Sequence, residues 1–278
     1  MSFKDYCKRG ISYILHGVPN KYITAQISCL QPNARLDGKK IVITGGGRGL
    51  GYAMAKKFIS EGAEVLIAGR NEDTLALKAA ELECAYLKLD VQNVDEIAPF
   101  FKKADEMLGG IDVLVNNAGI SLHEGNIRNV SQQQFDAQIN TNLRGSYFMA
   151  QQFIELFETT KRENGNILFV SSERGFYVDD LPYGITKAAM NSLVQGLANR
   201  VINCGIRVNA VAPGVTTSDM TGYKADGNLW AGYNITERVY LPEEVAEIAC
   251  FLISDAAKCL SGQIIVCNEG KSINAHWR

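Results

Sequence analysis

The chain has 278 residues, 46% of them hydrophobic and 21% charged, with a formal net charge of −2. That length suits one large α/β domain, and the charge gives no reason to expect a nucleic-acid partner. Seven cysteines (Cys7, Cys29, Cys84, Cys204, Cys250, Cys259 and Cys267) lie scattered without C-x-x-C spacing. No apolar run approaches the ~18 residues of a membrane span, and the N-terminus lacks the apolar core and cleavage site of a signal peptide. The expectation is a cytoplasmic protein with reduced thiols, without a disulfide framework or a metal site.

Residues 1–40 carry seven basic side chains against Asp5 and Asp37, setting the start of the chain apart from the acidic remainder. Phe3, Tyr6, Cys7, Ile11, Ile14 and Leu15 fall near one face of a helix that would stop before Pro19, because the residue preceding proline avoids helical angles. Residues 1–38 read as an extension packing on the domain or on a neighbouring subunit. A basic amphipathic surface helix and a disordered arm are the other readings.

From Lys40 onward, short β-branched runs alternate with helical spacing. The runs are Ile41–Ile43, Val65–Ala68, Ala85–Leu89, Ile111–Val115, Ile167–Val170, Ile206–Val211 and Ile264–Val266. Met54–Ser60, Glu96–Met107 and Ala188–Val201 have helical periodicity. Such alternation predicts a seven-stranded parallel sheet with helices on both faces, a doubly wound Rossmann fold in a single domain over residues 39–278.

The first strand runs into Thr44-Gly45-Gly46-Gly47-Arg48-Gly49-Leu50-Gly51, which opens the first helix. Glycines let the backbone turn sharply and approach a ligand, and a helix N-terminus offers free N–H groups to phosphate. Strand, glycine loop and helix in that order are the context of a dinucleotide site. An NAD site carries an acid at the end of the second strand. Here that strand ends Ala68-Gly69-Arg70-Asn71. Arg70, with Arg48 in the loop, suits a 2′-phosphate, so NADP(H) is favoured over NAD(H).

Further on, Tyr183 and Lys187 are four residues apart on a predicted helix, which stacks them on one face. An ammonium beside a phenol lowers its pKa, making the pair a candidate general acid/base. His123 lies on a loop that either lines the site or is merely exposed.

Thr44-Gly45-x-x-x-Gly49-x-Gly51 with Tyr183-x-x-x-Lys187 resembles the short-chain dehydrogenase/reductase family. Asp90-Val91 is similar to its adenine-contacting pair, Asn116-Asn117-Ala118-Gly119 to its N-N-A-G motif, and Asn142-Leu143-x-Gly145 to the motif of its active-site asparagine. Ser171-Ser172 ends a strand where the family's catalytic serine belongs. Asn209–Gly214 resembles the segment beside the nicotinamide, and Leu241–Val245 and Ser261–Gln263 resemble the C-terminal part. The resemblance covers about residues 39–270.

It implies hydride transfer between a nicotinamide and a carbonyl or secondary alcohol, with no metal. Tyr183 would exchange the proton, Lys187 would support the phenolate and bond the nicotinamide ribose, Ser172 would orient the substrate oxygen, and Asn142 would hold a water. The cofactor site implied comprises Gly45, Gly47, Arg48, Gly49, Leu50, Gly51, Arg70, Asp90, Val91, Asn117, Ala118, Gly119, Tyr183, Lys187, Pro213, Gly214, Thr216 and Ser218. A homotetramer is implied, a homodimer next, through the helices containing Asn142–Phe157 and Tyr183–Val201.

The chain departs from the pattern in places. Ser172 and Tyr183 are about two residues closer than is common, the usual D-G-G is Asn268-Glu269-Gly270, and residues 1–38 have no counterpart. Residues 215–240, with Met220, Tyr223, Trp230, Tyr233 and Tyr240, read as a lid. Phe176, Tyr177, Asp179 and Asp180 are candidates to face the same pocket. A ketosteroid-like ring, a sugar-like polyol and a 3-oxoacyl group remain open as substrates. NAD-dependent alcohol oxidation and non-catalytic NADP(H) binding are the alternative functions.

Overall fold

The computed structural model describes Thr24 and residues 34–273. The helix expected within residues 1–18 lies outside the described residues. Seven parallel strands form one sheet in the order β3-β2-β1-β4-β5-β6-β7. They are β1 (Lys40–Thr44), β2 (Glu64–Gly69), β3 (Ala85–Lys88), β4 (Val113–Asn116), β5 (Gly165–Val170), β6 (Ile206–Pro213) and β7 (Ile264–Cys267). The helices are α1 (Gly49–Ser60), α2 (Glu72–Leu82), α3 (Ile97–Leu108), α4 (Gln132–Gln138), α5 (Ser146–Thr159), α6 (Pro182–Val201) and α7 (Pro242–Ile253).

The strands are apolar on both faces because both faces are covered. Along β5, Ile167 and Phe169 point into one core with Phe101, Phe153 and Met190. Leu168 and Val170 point into the other with Met54, Phe58 and Ala249. This period of two is the strand geometry itself. The first core is roofed by α3, α5 and α6, the second by α1, α2 and α7.

The progression of strands across the sheet reverses between β1 and β4, which pair in parallel in register Ile41↔Val113 to Ile43↔Val115. At such a switch point the loops leaving neighbouring strands diverge and open a crevice at their carboxyl ends. Thr44 ties the two strands there: its Oγ1 donates to the Val115 carbonyl (3.2 Å) and accepts from the Asn117 and Ala118 N–H groups (both 3.0 Å).

Two local features add to the sequence reading. Residues 35–38, the end of the extension, pack on the domain: Leu36 is fully buried and its N–H bonds the Glu61 carbonyl at 3.0 Å. Asn142 sits in a wide π turn, Ile139–Gly145, between α4 and α5. A Cβ on Gly145 would stand 2.7 Å from the Val91 carbonyl, so the absence of a side chain there lets the turn rest on the loop after β3.

Candidate functional site

The glycine loop folds as a cradle. Gly45 has φ +67°, a region open to glycine. A Cβ on Gly51 would lie 2.3 Å from the Gly45 carbonyl and 2.5 Å from Asn117 Nδ2, so the helix can start this close to β1 only without one. Asn117 secures the loop, donating Nδ2 to the carbonyls of Thr44 (2.8 Å) and Gly45 (3.1 Å). The N-terminus of α1 opens into a cavity of about 1240 Å³ that runs along the carboxyl ends of the strands. Every residue of the implied cofactor site lines it. The residues fit a dinucleotide: a side-chain-free cradle at a helix N-terminus, and Thr141 Oγ1, which lines the same cavity and is buried with no partner among the described residues.

At the end of β2, Asn71 is occupied, its Oδ1 accepting the Thr74 N–H (2.8 Å) as the cap of α2. Arg70 is exposed at the cavity wall and has no ion-pair partner among the described residues. Arg48 lies 3.8 Å from Asp219 with both side chains largely exposed. Asp90 turns its own loop, accepting the Gln92 N–H at 3.0 Å.

Three of the four expected catalytic side chains, Ser172, Tyr183 and Lys187, line this cavity. Ser172 follows β5, its Oγ accepting the Arg174 N–H (3.2 Å) to start a 3₁₀ turn, Glu173–Phe176. Tyr183 and Lys187 are on the first turns of α6, which begins at Pro182, where a missing N–H costs nothing. Ser171 serves the fold instead, donating to Asn191 Oδ1 at 2.6 Å.

Lys187 is 3% exposed and donates to the Val170 carbonyl (2.7 Å), with Nζ 5.6 Å from the Tyr183 ring centroid. Burial lowers its pKa to about 8. The Tyr183 phenol is shifted up, not down as the sequence reading expects: burial dominates, against smaller downward pulls from a Ser172 hydrogen bond and the Arg174 charge. Asn142 is fully buried and does not line the cavity. Its amide is committed to Ile120, accepting from N–H (2.8 Å) and donating to C=O (2.9 Å), and it also donates to Thr186 Oγ1 (3.3 Å). Its side chain therefore positions the loop after β4.

The short Ser172–Tyr183 link is held by Asp179. One carboxylate oxygen accepts the Leu181 N–H (3.1 Å) and the other accepts Arg174 Nε (2.5 Å). It packs onto Gly184, where any Cβ would collide with it. Tyr177, Met220, Tyr223 and Tyr233 line the same end of the cavity. The lid residues keep a small core of their own, Leu229, Ala231, Val239 and Leu241. His123 lines the cavity and bonds the Met220 carbonyl through Nε2 (2.7 Å), joining the loop after β4 to the lid. Sequence reasoning missed Glu173 and Lys271. Glu173 adjoins Ser172, which was a usable cue. Lys271 lies 98 positions from its partner, with no local signal.

Among the described residues no cluster of His, Cys, Asp and Glu could hold a metal ion, and no helix is long and apolar enough to cross a membrane. The family model described as "Enoyl-(Acyl carrier protein) reductase" matches residues 45–272. Versicolorin reductase of Emericella nidulans is 33% identical over 265 residues, covering 86% of this chain and 97% of that protein. The 3-ketoacyl-(acyl-carrier-protein) reductase of Brucella melitensis, solved with NADH, superposes with a TM-score of 0.79 at 30% identity, over 86% of this chain and 100% of that one. A short chain dehydrogenase from Burkholderia cenocepacia, solved with NADP, gives 0.76 at 28% identity, over 85% and 99%. With that match spanning most of the sequence, and the glycine cradle opening into the cavity that Tyr183 and Lys187 line, the chain belongs to the short-chain dehydrogenase/reductase family and is an NAD(P)-dependent oxidoreductase.

Proposed function

We propose that this enzyme reduces a carbonyl to a secondary alcohol, or runs the reverse, with NADP(H), and that Tyr183 is its acid/base. The observation that carries the reading is the convergence of Ser172, Tyr183 and Lys187 on the cavity into which the glycine cradle opens. The nicotinamide supplies or accepts the hydride; the chain supplies position and protons. Charge that builds on the substrate oxygen during reduction meets the Ser172 hydroxyl and takes a proton from Tyr183 Oη. A phenol held up by burial is protonated at neutral pH, as a donor must be. The phenolate left behind faces the Lys187 ammonium. The NADP(H) preference rests on Arg70 and Arg48 at the cavity wall and on the lack of an acid at the strand end Ala68-Gly69-Arg70-Asn71.

The test is NADPH and NADH oxidation over a panel of ring, polyol and acyl carbonyl compounds, with Tyr183→Phe alongside. NADPH is expected to bind at least tenfold tighter than NADH, and the variant is expected to keep that binding while turnover drops by about 10²–10⁴-fold. Tighter NADH binding overturns the cofactor assignment, and near-normal turnover overturns the role of Tyr183. A homotetramer or homodimer is expected through α5 and α6, which expose Tyr147 and Ile185. Light scattering at micromolar concentration checks this; a monomer refutes it.

A further inference from the structure

The charged groups at the substrate end of the cavity are already paired with one another. Glu173, 4% exposed, follows Ser172 directly. Its Oε2 accepts from Tyr177 Oη (3.1 Å) and Asn268 Nδ2 (3.0 Å), and its Oε1 accepts from Lys271 Nζ (3.3 Å). Lys271 donates a second bond to Asn234 Oδ1 (2.9 Å) and stands 5.0 Å over the Tyr233 ring. Its ammonium is therefore saturated by a carboxylate, an amide and a ring face. The other cation, Arg174, is 43% exposed but is already bound through Nε and Nη2 to Asp179, whose side chain is only 6% exposed.

The rest of this end is largely aromatic and apolar. The Tyr233 hydroxyl donates to that of Tyr223 (3.3 Å), and Val178, Leu122 and Met220, all exposed, line the cavity as well. Tyr177 is pushed up to about 12, by burial first and by Glu173 second, so it faces substrate as a neutral phenol.

Resting on the reading of this enzyme as a carbonyl reductase, we propose that the site selects neutral, ring-bearing carbonyl compounds and rejects carboxylates, with Glu173 as the specificity-determining residue. Phenol rings and aliphatic side chains give a cyclic substrate flat contact. A substrate carboxylate finds the Lys271 ammonium saturated and Arg174 already ion-paired. To reach Lys271 it must displace Glu173, and otherwise it sits against that buried negative charge. Such a repulsive element gives specificity that attraction alone does not.

The experiment measures kcat/KM with NADPH for two bicyclic ketones of like shape, 6-carbamoyl-1-tetralone and 6-carboxy-1-tetralone, next to the open-chain carbonyls of the panel. The wild type is expected to favour the neutral amide at least tenfold. Glu173→Gln keeps a side chain of the same shape but frees the Lys271 charge, and should shrink that ratio at least fivefold, chiefly through KM for the carboxylate. Lys271→Met, which leaves Glu173 uncompensated, should enlarge it. A wild-type ratio near one, a preference for the carboxylate, reduction of open-chain carbonyls in place of both tetralones, or variant ratios equal to wild type overturn the proposal. The wild-type ratio decides the substrate class even if a variant does not fold. If no carbonyl in the panel is reduced, the reductase reading itself has failed.

Discussion

At the scale of single residues, Lys187 carries a stability cost. Its ordinary pKa of 10.5 falls to about 8 because the folded protein removes the ammonium from water. Below pH 8 the group is charged in both folded and unfolded chains, and folding bears the full cost, on the order of 3 kcal/mol for a shift of this size. Between about 8 and 10.5 the unfolded chain holds the proton more firmly, so this group makes stability rise with pH. Lys187→Met removes the titration. It also leaves the Val170 carbonyl without its donor, an effect that does not depend on pH. The melting temperature of the variant relative to wild type should therefore be most favourable at pH 7 and should fall as the pH is raised to 10. Thermal unfolding at the two pH values measures it; a difference that stays flat contradicts the buried ammonium. On the role proposed for Tyr183, the expected pattern is a stability–function trade-off, with a charge kept near the phenol although burial penalises it.

At the scale of elements, the site depends on how closely the 3₁₀ turn Glu173–Phe176 rests on α6. Gly175 is the contact: a Cβ there would lie 2.8 Å from Asn191 Nδ2 and 2.9 Å from the Lys187 carbonyl group. Asn191 Nδ2 donates to the Gly175 carbonyl (3.1 Å), so the turn cannot slide aside without breaking that bond. Gly175→Ala should push the turn, with Ser172 at its start, away from the helix carrying Tyr183 and Lys187. Overpacking of this kind costs roughly 1–3 kcal/mol. Misplacing a reactive group by an ångström costs about 10²-fold in rate. The expected result is a kcat loss of that order with NADPH binding nearly unchanged. Gly196→Ala, on the same helix with nothing within 4 Å, should be neutral or slightly stabilising. Equal kinetics for both variants would show that the turn does not position the site.

Elements were legible in the sequence where the cause is local. The β-branched runs gave the strands to within a few residues, and the glycine loop announced itself because backbone approach forbids a Cβ at Gly51. Tyr183 and Lys187 were legible as a pair from spacing, and as a candidate site only with the glycine loop and the other ordered motifs around them. The π turn was not, since it follows from Gly145 meeting Val91, 54 positions earlier, and neither was the Glu173–Lys271 pair, which only the finished fold brings together. The direction of the Tyr183 shift was misjudged for the same reason: spacing shows the cation nearby, while burial becomes visible only once the sheet and the turn close over the phenol.

At the scale of the whole molecule, residues 35–38 strap one helical layer together on the side of the sheet that holds α1 and α7. Arg35 reaches Glu61 after α1 (2.6 Å) and Glu247 on α7 (3.3 Å), while Lys57 bonds the same two carboxylates at 2.9 and 2.6 Å. Glu61 is fully buried, and its position is tenable because two cations approach it. Arg35→Met leaves Lys57 facing both carboxylates and should destabilise the protein by about 2–3 kcal/mol, a discount on the usual cost of breaking a buried pair because Arg35 retains some exposure. For a chain of this size that corresponds to a melting temperature lower by roughly 4–12 °C. None of the four residues lines the cavity, so kcat/KM at 20 °C should remain within about twofold of wild type, as expected for surface-side changes remote from the site. Glu247→Gln in the Arg35→Met background should restore part of the loss, because it removes one of the two carboxylates that Lys57 must then neutralise. If Arg35→Met unfolds at the wild-type temperature, the strap does not hold α1 to α7, and the packing of Leu36 alone secures this end of the domain.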